Sequence, residues 1–201
     1  MVTCITLRGF DIRKSYLDPT AQRDLVAALR GVLKAAPLFA PTTRFGKQMS
    51  VRMTSAGKYG WYSDARGYRY EPRHPDGQPW PPIPDEVLAI WRDTTGLIRD
   101  PDCCLINYYR EGARMGLHQD RDEADFTYPV LSVSLGDDGL FRIGNETRGG
   151  KTESIWLESG DVVVMGGAAR LTHHRVDRIR FGSSRLLPKG GRINLTCRVV
   201  D

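Results

Sequence analysis

The chain predicts an α+β fold in which helices come first and an antiparallel sandwich or jelly roll follows. Three observations carry that prediction. Leu25, Val26, Leu29, Val32 and Leu33 recur at helical spacing. The stretch from Ser55 to Pro84 is too rich in Gly and Pro for any long periodic element. From Cys104 onward, short apolar runs of strand character alternate with Gly, Asn or Asp. Helical pattern first and many short strands later is the order of an α+β domain with an all-antiparallel half.

In chain order, Asp18-Pro19 opens the first helix, a capping residue followed by Pro at the first helical position, and Pro37 enforces its stop. Met49 to Thr54 alternates as a strand. Asp85 to Trp91 reads as a second short helix that ends near Gly96. The strand-like runs after it are 104–109, 129–135, 140–143, 154–157, 161–165 and 192–200. No repeat or low-complexity tract divides the chain, so 1–201 is read as one domain. Within it, about 45–85 forms an aromatic segment and about 100–201 a β-rich core.

Composition bounds the partners. The 201 residues are 40% hydrophobic and 26% charged, ordinary for a globular protein with a sizeable core. No apolar run approaches the ~20 residues of a membrane helix. The N-terminus MVTCITLRGF lacks the pattern of a secretory leader. Cys4, Cys103, Cys104 and Cys197 make no C-x-x-C spacing, and the last three sit in apolar runs as reduced core residues. A cytoplasmic protein without membrane contact is expected, working as a monomer. The net charge of +5 leans toward a polyanionic partner.

The chemistry concentrates around Leu117-His118-Gln119-Asp120. In extended chain, residues two apart share a face, so His118 and Asp120 can point into one cavity. Either imidazole of His173-His174 could complete two nitrogens and one carboxylate on one face of a metal, the facial triad of non-haem Fe(II) oxygenases. In the last strand Arg192, Asn194, Thr196 and Arg198 share one face and Ile193, Leu195, Cys197 and Val199 the other. The polar face either lines a barrel mouth, where two Arg would grip a dicarboxylate, or lies exposed on an edge strand. Asn107 and Tyr109, two apart, can add an amide and a phenol to the same cavity. Upstream, Tyr59, Trp61, Tyr62, Tyr68, Tyr70 and Trp80 interleave with Lys58, Arg66, Arg69 and Arg73. That mixture makes either a base-stacking, phosphate-contacting surface or a Pro/aromatic loop packed on itself.

Several separated motifs resemble, in order, those of AlkB-type Fe(II)/2-oxoglutarate dioxygenases. They are Met49 to Thr54, the Gly60-Trp61 and Gly67-Tyr68-Arg69-Tyr70 pair, Asn107 to Glu123, Val133 to Gly136, Gly160 to Val164, and Arg192 to Arg198. The resemblance implies a double-stranded β-helix beneath a nucleotide-recognition lid. It implies Fe(II) held by His118, Asp120 and His174, with His174 placed four residues after Arg170. It further implies 2-oxoglutarate held by Asn107, Tyr109, Arg192, Asn194 and Arg198, with Arg198 on the distal carboxylate. Trp61, Tyr68, Asp122, Arg148 and Met53 would meet the substrate. Met165, His173 and Arg175 depart from the family pattern around the base pocket without touching the implied ligands.

The implied activity is O2-dependent demethylation of N-alkylated bases, of the 1-methyladenine and 3-methylcytosine type, in methylated single-stranded or damaged DNA or in RNA, as a repair reaction. Two other readings compete. A 2-oxoglutarate hydroxylase acting on a protein or small molecule would share the iron and Arg sites. A non-catalytic single-strand-binding protein would leave His118, Asp120 and His174 without a role.

Overall fold

The computed structural model describes residues 2–43 and 45–201. Two helices cover one face of a seven-stranded sheet, and a three-stranded sheet faces its other side. The elements in order are β1 (Thr3–Leu7), β2 (Phe10–Lys14), α1 (Pro19–Ala35), β3 (Arg52–Gly57), β4 (Gly60–Asp64), β5 (Gly67–Glu71) and α2 (Asp85–Thr95). They continue with β6 (Cys103–Tyr109), β7 (Val130–Gly136), β8 (Asp138–Ile143), β9 (Glu153–Leu157), β10 (Val162–Met165), β11 (His174–Arg180) and β12 (Arg192–Arg198), with a short 3-10 turn at Gly167–Ala169. The large sheet runs β1-β2-β10-β7-β12-β6-β3, the small one β11-β8-β9, and β4-β5 stand apart as a hairpin.

Both predicted helices form where their signals place them. The Asp18 side chain accepts from the N–H groups of Thr20 and Ala21, filling orphan donors of the first turn of α1. Leu25, Val26, Leu29 and Val32 turn inward. Helix α2 places Asp85 and Glu86 in its first turn, where they complement the helix dipole, and buries Val87, Ile90 and Trp91.

β12 lies inside the large sheet between β7 and β6, paired on both sides over its length. The alternative of an exposed edge strand is thereby overturned. Its odd-numbered residues Ile193, Leu195, Cys197 and Val199 join the core under the two helices, with Leu131, Val133, Cys104 and Ile106. Its even-numbered residues point between the two sheets, the side on which Phe141, Ile143, Val176, Tyr109 and Met165 form the second core. Four polar residues on one strand face therefore have nowhere to go except a shared interior cavity.

Five strands lie outside the predicted set: β1, β2, β4, β5 and β11. β1 and β2 form an N-terminal hairpin across a tight turn in which Arg8 takes a φ of 50°. Strand β11 occupies a stretch read as loop, because its outward residues are Arg and Asp and only His174 and Val176 face in and are buried. The β4-β5 hairpin forms within the segment of breakers. It is docked by Trp80, whose ring lies so close to Gly60 that an added Cβ would sit 2.2 Å from it. β3, inside the expected 45–85 segment, belongs to the large sheet and continues it beyond β6.

Candidate active site

The backbone brings His118 and His174 together. They form an isolated antiparallel bridge, with His118 N–H donating to His174 O at 3.1 Å and His174 N–H to His118 O at 2.9 Å. Their ring centroids lie 4.6 Å apart. Asp120 enters the same space: its Oδ1 is 3.8 Å from His118 Nε2 and its Oδ2 is 3.7 Å from His174 Nε2. One donor atom from each residue lies within 4.8 Å of the others. These separations are too long for hydrogen bonds and suit donors converging on one ion.

Each imidazole is oriented from behind. His118 Nδ1 lies 2.8 Å from Gly116 O, and His174 Nδ1 lies 3.0 Å from Thr172 O. A carbonyl only accepts, so Nδ1 carries the proton and Nε2 keeps the lone pair that a metal needs. Burial and the neighbouring His118 push the His174 pKa down to about 4, which keeps its ring neutral near pH 7. For Asp120, burial works to raise the pKa, but Arg198, His174, His118 and Arg170 outweigh it and hold the carboxyl well below the usual range. The ionised Oδ2 is buried without a hydrogen-bond partner. A buried carboxylate oxygen without a partner is costly unless something cationic meets it. His173 lies outside this group, its Nδ1 3.0 Å from Asn145 O.

The register of β12 against β6 sets Arg192 opposite Tyr109 and Asn194 opposite Asn107 on the face between the sheets. All four face the interior between the two sheets. Arg192 is 1% exposed; its guanidinium donates to Ser134 Oγ at 2.7 Å and Leu157 O at 3.1 Å, while Nε has no partner. Gly139 makes room for it, since a Cβ there would sit 2.9 Å from that Nε. Asn194 donates to Ser132 Oγ at 2.8 Å, and Asn107 Oδ1 is buried and unpaired. Burial raises the Tyr109 pKa, so its phenol remains a donor.

Arg198 donates from Nη2 to Asp120 Oδ1 at 2.8 Å, and its Nη1 is buried without a partner. It stands at the triad itself, whereas Arg192 lies six strand positions, about 20 Å, along the backbone.

The hairpin carries the aromatic residues to the same region. Trp61 and Tyr68 stack with ring centroids 5.3 Å apart and planes 27° from parallel. Trp61 Nε1 donates to Asp122 Oδ2 at 3.0 Å, two residues beyond Asp120. Tyr68 is 53% exposed, so one aromatic ring of the pair faces outward. Met53 is buried in the core shared with Trp61, Tyr70 and Tyr109 and presents no open surface. Arg148 is exposed on the loop after β8 and makes no hydrogen bond or ion pair among the described residues. That loop is tied to the triad through Gln119, whose Nε2 donates to Glu146 O at 3.0 Å.

Sequence reasoning gave no role to two buried charged residues, Glu123 and Arg170, and did not link them to the half-buried Tyr70. Arg170 donates to Glu123 Oε2 at 2.9 Å and also to Asp120 O. The Tyr70 hydroxyl donates to Glu123 Oε1. A signal was present, because Glu123 closes the acidic run Asp120-Arg121-Asp122-Glu123 and Arg170 stands alone in a Gly/Ala stretch.

Comparison with known proteins agrees with this geometry. Residues 9–198 match the family model described as the 2OG-Fe(II) oxygenase superfamily. The chain is 55% identical, over 94% of its length and 87% of the other, to an alpha-ketoglutarate-dependent dioxygenase AlkB homolog of Caulobacter vibrioides. It is 30% identical over 94% of its length to the DNA N(6)-methyladenine demethylase ALKBH1D of Arabidopsis thaliana, covering 49% of that protein. The solved structure of OsALKBH1 superposes with a TM-score of 0.85 at 30% identity, covering 98% of this chain and 100% of the other. The chain belongs to the AlkB family within the 2OG-Fe(II) oxygenase superfamily and is an Fe(II)- and 2-oxoglutarate-dependent dioxygenase.

Proposed function

We propose that this dioxygenase oxidatively demethylates N-alkylated bases, of the 1-methyladenine and 3-methylcytosine type, in single-stranded or damaged DNA and in RNA, as a repair reaction. The observation that carries the reading is the Trp61–Tyr68 stack, fastened through Trp61 Nε1 to Asp122 beside the His118–Asp120–His174 group. A stacked aromatic pair offers a planar base about 1–3 kcal/mol of stacking, and here it sits next to the metal donors. The names of the demethylase relatives support a nucleic-acid substrate. The two facing antiparallel sheets support a double-stranded β-helix, with β4-β5 as its nucleotide-recognition lid.

The site residues fit the cofactors. Asp120 Oδ2 and the two Nε2 atoms form a neutral-imidazole and carboxylate donor set suited to Fe(II). The unpaired Arg198 Nη1, Arg192 Nε and Asn107 Oδ1 are polar atoms left open along one sheet face; the N–H donors among them suit a dicarboxylate. We place the near carboxylate of 2-oxoglutarate by Arg198 and Asn194, and the distal one by Arg192 and Tyr109. When bound, iron and 2-oxoglutarate would supply the oxidising chemistry: one oxygen atom of O2 would enter the N-methyl carbon while the other converts 2-oxoglutarate to succinate and CO2, and loss of formaldehyde would leave the repaired base. The chain's own residues hold the reactants. Trp61 and Tyr68 receive a base removed from its stack, Asp122 sets a carboxylate beside a cationic methylated ring, and Arg148 approaches from its loop. Met53 supports the pocket from beneath. Extruding a base costs a few kcal/mol in a duplex and least in a single strand, which favours single-stranded substrates.

Formaldehyde release from methylated oligonucleotides, with matched unmethylated ones as the control, tests this reading. Release only from the methylated strand is expected; equal 2-oxoglutarate consumption with both and no formaldehyde would sink it. Trp61→Ala should weaken binding of the methylated oligonucleotide about 10- to 100-fold, by loss of stacking. Unchanged affinity in a filter-binding titration would remove the stack from the base site. A protein or small-molecule hydroxylase would show no such dependence on Trp61.

A further inference from the structure

We propose that Glu123 is a positioning residue: one buried carboxylate aims the Arg198 guanidinium at 2-oxoglutarate and ties the β4-β5 hairpin to the iron carboxylate. The inference rests on the reading that Arg198 meets the co-substrate.

The Glu123 side chain is 1% exposed and has cationic or hydroxyl partners on both oxygens. Oε2 accepts from Arg170 Nη2 at 2.9 Å. Oε1 accepts from the Tyr70 hydroxyl and lies 3.3 Å from Arg198 Nε, an ion pair without hydrogen-bond alignment. Both arginines turn back to Asp120: Arg198 Nη2 donates to its Oδ1 and Arg170 Nη1 to its backbone carbonyl. Asp120 and Glu123 are thus bridged twice, once through each guanidinium. A guanidinium is a rigid planar fork. With Nε drawn to Glu123 and Nη2 bound to Asp120, the fork is fixed in rotation, and Nη1 is the nitrogen left for a ligand.

The hairpin is held by the same short stretch. Trp61 and Tyr70 are directly opposed across β4 and β5. Trp61 donates to Asp122 and Tyr70 to Glu123, so two opposed rings grip two consecutive carboxylates. The aromatic pair that would receive the base and the guanidinium that would receive the co-substrate therefore share one rigid connector.

Charge explains why a glutamate is needed. Arg170 and Arg198 are both buried, and Asp120 alone cannot balance them. Removing the Glu123 charge leaves one guanidinium short of a partner and free to rotate toward Asp120. A folded protein with weaker co-substrate binding is the expected result, since hydrogen bonds to charged groups weigh more than neutral ones.

The experiment uses the full chain loaded with Mn(II) in place of iron, so binding is read without turnover. Titration calorimetry measures 2-oxoglutarate affinity, and hydrogen exchange measures protection of β4 and β5. Glu123→Gln should weaken 2-oxoglutarate about tenfold, weaken Mn(II) by less than it weakens 2-oxoglutarate, and speed exchange in the hairpin. In turnover, the 2-oxoglutarate KM should rise more than kcat falls, and Glu123→Asp should restore part of the affinity. Tyr70→Phe removes only the hydroxyl and serves if Glu123→Gln does not fold; it should speed hairpin exchange, and adding 2-oxoglutarate should raise hairpin protection in the wild-type protein but not in this variant. A folded Glu123→Gln with unchanged 2-oxoglutarate affinity, or a Tyr70→Phe with wild-type hairpin protection before and after 2-oxoglutarate, overturns the proposal. Arg198→Ala separates the two levels. If it leaves 2-oxoglutarate affinity intact, the underlying assignment of Arg198 fails; if it weakens affinity while Glu123→Gln does not, only the role of Glu123 fails.

Discussion

Arg192 and Arg198 come from one strand face yet touch different things, which predicts separable phenotypes. Arg198 is bonded to Asp120, so losing it disturbs the metal carboxylate and the co-substrate together. Arg192 is bonded to Ser134 and to backbone carbonyls, away from the triad. Arg192→Lys keeps the charge but loses the planar fork, and should raise the 2-oxoglutarate KM about 10- to 100-fold with Mn(II) affinity unchanged. Steady-state kinetics with a parallel metal titration would decide it. An unchanged KM would put the distal carboxylate elsewhere. At this scale the readable residues were those close in sequence: His118 and Asp120 announce themselves by spacing, and Arg192 to Arg198 by alternation. His174 came through family resemblance, since nothing in its neighbourhood separates it from His173; in the structure the distinction is a backbone bridge to His118. Glu123 acquires meaning only through Tyr70, Arg170 and Arg198, partners 47 to 75 positions away.

Among the elements, the β4-β5 hairpin depends most on tertiary support. Its strands are short and Gly-bounded, and an isolated two-stranded hairpin is marginal in water. Trp80 closing over Gly60, with its Nε1 donating to Glu71 O at 2.8 Å, supplies the missing packing. Gly60→Ala would drive a methyl group into the indole ring, so the hairpin must shift. Overpacking of this kind costs typically 1–3 kcal/mol, and oligonucleotide binding should fall while Mn(II) and 2-oxoglutarate binding persist. Normal oligonucleotide affinity in Gly60→Ala would detach the hairpin from substrate recognition. The same dependence explains why this segment read as breakers: its order comes from Trp80, Asp122 and Glu123 rather than from its own periodicity. β11 was hidden for a related reason, since charged outward residues mask an alternation of which only His174 and Val176 are the buried half.

For the whole molecule, β12 is the strand on which stability and function meet. Its odd side packs under α1 and α2 and its even side carries the polar groups of the site. Leu195, fully buried at the centre, should cost about 2–5 kcal/mol when replaced by Ala, measured by urea denaturation, with substrate affinity retained in the folded fraction. A loss below 1 kcal/mol would place the main core elsewhere. The expected helix-first order fails, since β1 and β2 precede α1 and β3, β4 and β5 precede α2; both helices were legible because local capping and apolar periods specify them. The pairing of sheets was not, because antiparallel partners such as His118 and His174 are chosen by the packed whole.

The central claim is that a His118–Asp120–His174 centre is aimed at a methylated base by an aromatic hairpin. Mass spectrometry of a single-stranded oligonucleotide bearing one 1-methyladenine, incubated with Fe(II), 2-oxoglutarate and O2, tests it most directly. The wild-type protein should return the strand lighter by one methyl group, Asp120→Ala should leave it unaltered, and Trp61→Ala should slow the conversion by the same factor by which it weakens binding. An unaltered strand with wild-type protein that still consumes 2-oxoglutarate would contradict the account.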